Sequence, residues 1–185
     1  MFEKIISSIS AELERCSIPY MLIGGQAVLL YGEPRLTRDI DITLGVDIDK
    51  LKNIISLINK LGLKILPEKI EEFVHKRMVL PVINEETGIR IDFIFSFSPY
   101  ERQAIARAKK VKMLYQDVSF ATPEDVIIHK IVAGRPRDIE DVRGILLKMP
   151  DIDSVYIRQW LNDFSNASGE DDIKERFEEI MKTLR

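Results

Sequence analysis

The sequence predicts a mixed α/β (α+β) fold, in which a sheet with flanking helices is followed by an all-helical C-terminal extension. Two segments, Asp39–Ile42 and Ile89–Phe95, alternate between apolar and other residues with the period of two that is typical of strands. Apolar residues at helical spacing in residues 2–15 and in the last third of the chain predict amphipathic helices. We therefore expect an α/β core over residues 1–120 and a helical region, packed on the core, over residues 121–185.

Length and composition restrict the class of protein. The chain has 185 residues, of which 45% are hydrophobic and 31% charged, as in a globular protein with one core domain and a small helical addition. A formal net charge of -3 argues against a broad basic surface for unspecific nucleic-acid binding. The single cysteine, Cys16, excludes an intramolecular disulfide and fits a reducing compartment. Since no apolar run is long enough to span a bilayer, we expect a cytoplasmic protein without a membrane partner.

Further elements follow from caps, breakers and periodicity. Pro81 interrupts a strand-like run, and a loop rich in polar residues follows that run. Ser98 and Thr122 each precede a proline, which is the start signal of a helix. The sequence predicts a strand at 21–23, a helix at 26–31, a helix capped by Asp49 that runs to Gly62, an edge strand at 63–66, a strand-like run at 73–83, a hairpin loop at 84–88, a helix from Ser98 to about Lys110, strands within 111–120 around Gln116-Asp117, a helix from Thr122 to Gly134, a further helix broken at Pro150, and two terminal helices.

The segment from Tyr20 to Leu44 contains the residues that indicate chemistry. Gly24 and Gly25 lie between a predicted strand and a helix, where backbone N–H groups can bind a phosphate. Asp39 and Asp41 are two residues apart on a predicted strand, so their carboxylates lie on the same face. Mg²⁺ takes such oxygen ligands and often binds beside a nucleotide's phosphates. The segment therefore predicts an anion site next to a divalent-cation site.

These residues resemble the nucleotidyltransferase superfamily. The resemblance is carried by Gly24-Gly25, Gly32 and the run Pro34–Asp41, and it extends from Tyr20 to about Arg143. The chain looks most similar to the branch of small proteins that includes the AbiEii-type toxins and the minimal nucleotidyltransferases. The resemblance implies a polymerase beta-like mixed sheet, an NTP substrate and a third carboxylate on a later strand. Asp92 is our candidate for that carboxylate, because it lies opposite the aromatic residues of its predicted strand.

The geometry of three carboxylates predicts the mechanism. Asp39 and Asp41 are expected to hold Mg²⁺, or Mn²⁺ in its place, against the triphosphate. Asp92 completes the metal shell or accepts the proton of the attacking hydroxyl. The acceptor oxygen then attacks the α-phosphorus in line, and pyrophosphate leaves.

Four further residues are candidates for nucleotide or phosphate binding. Arg35 and Thr37 precede the metal strand, where Arg35 can grip a phosphate with two donors. The alternatives are an ordinary surface arginine and a threonine that caps the loop. The spacing of Lys130, Ala133-Gly134-Arg135, Asp138 and Asp141 resembles the post-core helices of the AbiEii-type branch. This implies that Lys130 reaches the triphosphate and that Asp138 orients it, although Asp138 could instead cap its helix or form a solvated ion pair with Arg135.

Three functions are compatible with these motifs. The first is an Mg²⁺-dependent nucleotidyltransferase that moves an NMP from an NTP to a hydroxyl of RNA, a protein or a small molecule, in a toxin-antitoxin system with a partner protein. The second is a non-catalytic interaction module of the antitoxin type that docks through its terminal helices. The third is a sensor that binds a nucleotide and turns it over slowly.

Overall fold

A computed structural model describes residues 1–96, 98–169 and 172–184. The chain divides into two compact units, each of which is assembled from two separate segments. The first unit comprises Met1–Gln26 and Thr37–Ala121, and the second comprises Ala27–Leu36 and Thr122–Arg185.

The first unit contains a mixed sheet that has seven strands within the described residues. Consecutive strands are joined by helices or by tight hairpins. The strands are β1 (Tyr20–Ile23), β2 (Asp39–Leu44), β3 (Lys64–Ile65), β4 (Val79–Asn84), β5 (Ile89–Phe95), β6 (Lys109–Met113) and β7 (Gln116–Phe120).

The order of strands across the sheet is β3-β4-β5-β2-β1-β7-β6, so β2 lies at its centre. β2 pairs antiparallel with β1 and parallel with β5. The alternation read from the sequence is confirmed: Ile40 and Ile42 are fully buried, whereas Asp39 is exposed and Asp41 half-buried. In β5 the aromatic Phe93 and Phe95 are buried on the face opposite Asp92. The two strands thus bury their apolar faces and direct their carboxylates to the other side of the sheet.

Helices cover this sheet with their apolar sides. Ile6, Ile9 and Leu13 form the buried stripe of the first helix, and Ser7 beside them donates a hydrogen bond of 2.9 Å to the carbonyl oxygen of Met113. The helices are α1 (Phe2–Arg15), α2 (Gly24–Tyr31, which continues into the second unit), α3 (Leu51–Lys60), α4 (Ile70–Arg77) and α5 (Pro99–Arg107).

The strand-like run predicted at 73–83 is wrong in its first part, because α4 occupies Ile70–Arg77. Only Val74 of this helix is buried, so an apolar period is hard to recognise in the sequence. Acidic residues in its first turn and basic residues in its last turn match the helix dipole. Met78, in the left-handed conformation, ends the helix, and the strand β4 begins at the next residue, Val79. Pro81 lies within this strand.

Other boundaries also differ from the prediction. Asp47 rather than Asp49 is the capping residue, because a short 3₁₀ turn at Ile48–Lys50 precedes α3. The helix capped by Ser98 ends at Arg107 instead of about Lys110, since the next residues pair as β6 with β7. Gln116 and Asp117 lie in β7 rather than in the turn between the two strands.

The second unit is helical, as expected for the C-terminal part of the chain. Thr122 caps its first helix by accepting the N–H of Asp125, and Gly134 ends that helix with φ +63°. The helices that follow α5 are α6 (Pro123–Ala133), α7 (Pro136–Lys148), α8 (Ser154–Ser168) and α9 (Asp172–Thr183). In the part of the chain that the structure describes, none of the helices combines the length and the apolar character needed to cross a membrane.

Candidate functional site

Asp39, Asp41 and Asp92 lie on the same side of the sheet, and we call these three residues the carboxylate face. Because β2 and β5 are parallel and in register, Asp41 is paired directly with Asp92. Asp39 is two residues before Asp41 and therefore points to the same side. Neighbouring strands are about 4.8 Å apart, which places the backbones of the two strands within reach of a shared ligand. Asp92 belongs to a later strand than Asp39 and Asp41, and the sheet places it beside them.

Gly24 and Gly25, predicted as a turn ahead of a helix at 26–31, are instead the first two residues of α2, and they approach this face from the other side of β2. Ile23 of β1 is paired with Asp41, and Gly24 follows Ile23 as the first residue of α2 with φ +63°. A Cβ built on Gly24 would lie only 1.9 Å from Oδ2 of Asp41. The carboxylate of Asp41 therefore rests against the backbone of Gly24 at the N-terminus of α2. Only glycine allows both this contact and this backbone conformation.

We expect Gly24→Ala to abolish nucleotide binding, because the added methyl group displaces the carboxylate of Asp41. Gly62→Ala is the matched control, since Gly62 has φ +66° but no atom within 4 Å of its added Cβ. Both variants should lose about 1 kcal/mol of unfolding free energy through the backbone alone. Thermal shift with each Mg-NTP should then separate them, with stabilisation retained only in Gly62→Ala. Equal nucleotide responses would show that the contact between Asp41 and Gly24 is irrelevant to binding.

The chemistry of the three carboxylates fits a hard divalent cation, which prefers oxygen ligands. Their present side-chain positions are not those of a metal shell: across the described ranges, no three His, Cys, Asp or Glu side chains stand together closely enough to hold an ion. The contacts of two of the three carboxylates explain why they do not converge. Asp41 rests on Gly24, and Oδ1 of Asp92 accepts a hydrogen bond of 3.0 Å from Nε of Arg90. The backbone brings the ligands to one face, and side-chain rotation is needed to converge them.

Gln26 is a polar residue near this site that sequence reasoning missed. It lies in the first turn of α2, directly after the two glycines, and is only 8% exposed. Its Nε2 is fully buried without a hydrogen-bond partner among the described residues. A buried amide without a partner is costly and is therefore worth a functional explanation. No motif points to Gln26, because its segment has the pattern of an ordinary apolar helix.

The remaining predicted residues, except Thr37, lie in the second unit, where five charged side chains form an ion-pair network. Lys130 Nζ contacts Oδ1 of Asp138 at 2.6 Å and Oδ2 of Asp141 at 2.9 Å. Nε of Arg135 donates to the other oxygen of Asp138 at 2.6 Å. Arg35 binds Asp141 with two donors, Nε at 2.8 Å and Nη2 at 2.9 Å. Three cations thus surround two nearly inaccessible carboxylates.

This network changes the interpretation of the second motif. Lys130, Asp138 and Asp141 are all buried, so Asp138 is not the solvated half of a surface pair. It does not cap α7 either, because Arg135 occupies the N-cap position. Both oxygens of Asp141 bind Arg35, so the two-donor grip predicted for a phosphate is directed at a carboxylate. The predicted contacts of Arg35 and Lys130 with a triphosphate stay predictions.

Asp138 makes this network sensitive to acid. Burial raises the pKa of its carboxyl, but hydrogen bonds from Arg135 and Lys130 outweigh burial and hold the pKa below its ordinary value. A lowered folded-state pKa stabilises the protein above the unfolded-state value of about 3.9, and this contribution is lost as the pH falls through the folded-state value. We expect Asp138→Asn to flatten the decline of unfolding free energy below about pH 4, measured by urea denaturation at successive pH values. A decline as steep as in the wild type would assign the acid sensitivity to other groups.

Thr37 lies in the loop before β2, and its contact fits the alternative of a threonine that caps this loop. Its hydroxyl donates a hydrogen bond of 3.4 Å to the carbonyl oxygen of Asp39, which fastens the loop to the start of the strand. The threonine therefore supports the backbone of a predicted metal ligand. Its predicted contact with a phosphate is not tested by this geometry.

Comparison with known families assigns the chain to a group. The family model described as "Nucleotidyltransferase of unknown function (DUF6036)" matches residues 1–185. The superfamily indicated by the Gly-Gly and Asp-x-Asp motifs is thereby confirmed, whereas the AbiEii-type branch stays a prediction. No curated protein matches the sequence at a significant level.

Solved structures confirm the predicted nucleotidyltransferase-like mixed sheet with C-terminal helices. An antigenic nucleotidyltransferase-like protein from Paracoccidioides brasiliensis is 17% identical, with a TM-score of 0.57 over 95% of this chain and 91% of that chain. The antibiotic-resistance factor ANT(2″)-Ia is 15% identical, with a TM-score of 0.58 over 99% and 94% of the two chains. The lincosamide antibiotic adenylyltransferase LnuA, in its lincomycin-bound structure, is 17% identical, with a TM-score of 0.54 over 77% and 94%. At these identities the likeness establishes the fold and no substrate.

Proposed function

Because the chain belongs to this family of nucleotidyltransferases of unknown function, we propose that it transfers a nucleoside monophosphate from an NTP to a hydroxyl group with the help of a divalent cation. The observation that carries the proposal is the direct pairing of Asp41 with Asp92 beside the Gly24 turn. In this arrangement an anion site and a set of oxygen ligands adjoin on one face. Such an arrangement is what phosphoryl transfer requires of a protein, since positioning and charge neutralisation supply most of the acceleration.

The residues of the carboxylate face have separate roles in the proposal. Asp39, Asp41 and Asp92 would hold Mg²⁺ or Mn²⁺, which when bound neutralises the charge of the triphosphate. The N-terminus of α2 at Gly24-Gly25 binds a phosphate through its backbone N–H groups. Asp92, on β5 next to the central strand β2, accepts the proton of the attacking hydroxyl. A bond forms between the acceptor oxygen and the α-phosphorus, the bond from that phosphorus to the leaving oxygen breaks, and pyrophosphate departs.

Two observations bear on the class of the acceptor. ANT(2″)-Ia and LnuA bear the names of an antibiotic-resistance factor and an antibiotic adenylyltransferase, which supports a small-molecule acceptor in this fold. The likeness of Lys130 and Asp138 to the toxin-related branch instead supports a macromolecular acceptor. A toxin-antitoxin role stays a prediction that rests on this likeness alone.

Two measurements on the wild-type protein test the proposal. Thermal shift with each NTP should show stabilisation that depends on Mg²⁺. Incubation with NTPs radiolabelled at the α-phosphate and with total RNA or a cell lysate should label an acceptor. Stabilisation without labelling of any acceptor would favour the nucleotide sensor, and the absence of both would favour the non-catalytic interaction module.

A further inference from the structure

The loop between β4 and β5 forms one wall of a cavity that contains none of the predicted site residues. The other walls are α1 and the residues just after α3, so the cavity belongs entirely to the first unit. We call the space between residues 4–9, 61–63 and 84–87 the hairpin cavity, and its volume is about 490 Å³. This volume lies within the range of about 300 to 1,000 Å³ that is usual for small-molecule sites.

The floor of the hairpin cavity is aliphatic. Ile5 and Ile9 lie one turn apart on the buried side of α1, and Leu61 and Leu63 follow the end of α3. The described lining residues include no aromatic ring. Contact with this floor removes apolar surface from water, which favours a ligand with aliphatic side chains of its own.

Two opposite charges lie at the rim of the cavity on different walls. Lys4 is an exposed residue of α1, and Glu86 is an exposed residue of the loop. In the part of the chain that the structure describes, neither side chain forms an ion pair, although the adjacent Glu85 pairs with Lys64. A ligand with a single charge is attracted by one of these groups and repelled by the other. A zwitterion is attracted by both.

The loop that carries Glu86 is ordered by its own hydrogen bonds. Oδ1 of Asn84 accepts one bond of 3.0 Å from the backbone N–H of Thr87 and one of 2.9 Å from the hydroxyl of the same residue. Gly88 completes the loop with φ +70°. These bonds enclose Glu86, so little backbone entropy remains to be lost on this wall when a ligand binds.

Ser8 adds a neutral polar group to the wall formed by α1. It lies one turn after Lys4, is half-buried, and its hydroxyl has no hydrogen-bond partner among the described residues. A hydroxyl can donate one hydrogen bond and accept others. It can therefore satisfy either the N–H or the C=O of a peptide bond inside the cavity.

We propose that the hairpin cavity binds a short aliphatic peptide, a dipeptide or tripeptide, with both termini free. Its carboxylate lies against Lys4, its ammonium against Glu86, and its side chains on the aliphatic floor. The two charges of the cavity stand on separate walls, which suits the separated termini of a peptide better than an amino acid, whose two charges share one carbon. A segment inside a longer chain has no free termini to place at the two walls.

Isothermal titration calorimetry of the full chain with dileucine tests the inference. Dileucine should bind, whereas diglycine, which has the same termini but no aliphatic side chains, should give no measurable binding. Free leucine should bind about tenfold more weakly than dileucine, because it leaves part of the floor uncovered. Absence of dileucine binding, or equal binding of diglycine or of leucine, would overturn the inference.

Capped peptides assign the two termini. Lys4→Gln should weaken binding of dileucine about fivefold and leave binding of dileucine amide, which lacks the carboxylate, unchanged. Glu86→Gln should likewise weaken binding of dileucine and leave that of acetyl-dileucine, which lacks the ammonium, unchanged. The matched controls are Lys52→Gln on α3 and Glu85→Gln in the loop, because neither residue lines the cavity. A loss that is equal on capped and free peptides, or as large in the controls, would overturn the inference, and thermal melting verifies that each variant is folded.

Failure of this inference can be told apart from failure of the proposed function. Asp41→Asn should bind dileucine as the wild type does, since the hairpin cavity contains no residue of the carboxylate face. Loss of peptide binding in that variant would place the peptide at the carboxylate face and overturn the inference. If dileucine binds as expected but neither Mg-NTP stabilisation nor labelling occurs, the transferase reaction is wrong and the peptide site stands.

Discussion

Asp41→Asn is expected to lower the rate of nucleotidyl transfer by about 10³-fold or more, because it removes a charge that must be in place before the reaction. Asp41 lies between the two parts of the proposed site, resting on Gly24 and paired in register with Asp92. Asparagine has the same shape, so the contact with the glycine backbone can persist. It lacks the negative charge that a divalent cation requires. The measurement is the rate at which label from the α-phosphate of an NTP enters the acceptor.

Asp49→Asn is the matched control for this prediction. Asp49 lies in the same unit, is 65% exposed and, among the residues that the structure describes, pairs with Lys50 at the surface. Its substitution should leave both transfer and stability unchanged. Thermal melting should show both variants folded. Labelling by Asp41→Asn at the wild-type rate would remove Asp41, and the pairing that it forms, from the mechanism.

The carboxylate face could be anticipated because its parts are local patterns. The alternation in β2 and β5 places each aspartate opposite the apolar residues, whatever the rest of the chain does. The register between the strands is a long-range property and is not written in either strand. In another register, Asp41 would be paired with a residue two positions away from Asp92. The pairing of Asp41 with Asp92, and that of Asp39 with Arg90, is visible only in the assembled sheet.

Burial was the second property that sequence patterns did not reveal. The family resemblance implies that Lys130 reaches a triphosphate, yet Lys130 is 7% exposed and lies between two aspartates. Spacing along α6 and α7 shows which residues share a helix face, but not that two carboxylates from one helix close over a lysine from another. The wrong prediction of a strand where α4 lies has a related cause. A helix with a single buried residue carries almost no apolar period.

Lys130→Met is expected to destabilise the second unit by about 1 to 3 kcal/mol, because two nearly inaccessible carboxylates lose the buried donor that lies between them, although Arg135 and Arg35 still pair with them. Asp138 and Asp141 have side chains that are 2% and 5% exposed, and each of them contacts Lys130 Nζ within 3 Å. Methionine fills similar volume but supplies no positive charge between the two carboxylates. Chemical denaturation, followed by the fluorescence of Trp160 in the same unit, measures the change.

The control is Lys148→Met, which removes a surface partner of Glu33 from the same unit. Lys148 is 43% exposed and lies 3.1 Å from Glu33, so its loss should change the unfolding free energy by no more than about 1 kcal/mol. A second variant isolates the cause. If repulsion between the two carboxylates is responsible, adding Asp141→Asn to Lys130→Met should restore part of the lost stability, although it also deprives Arg35 of its carboxylate. A further loss on adding it would mean that the pair of Asp141 with Arg35, rather than the lysine, holds the network together.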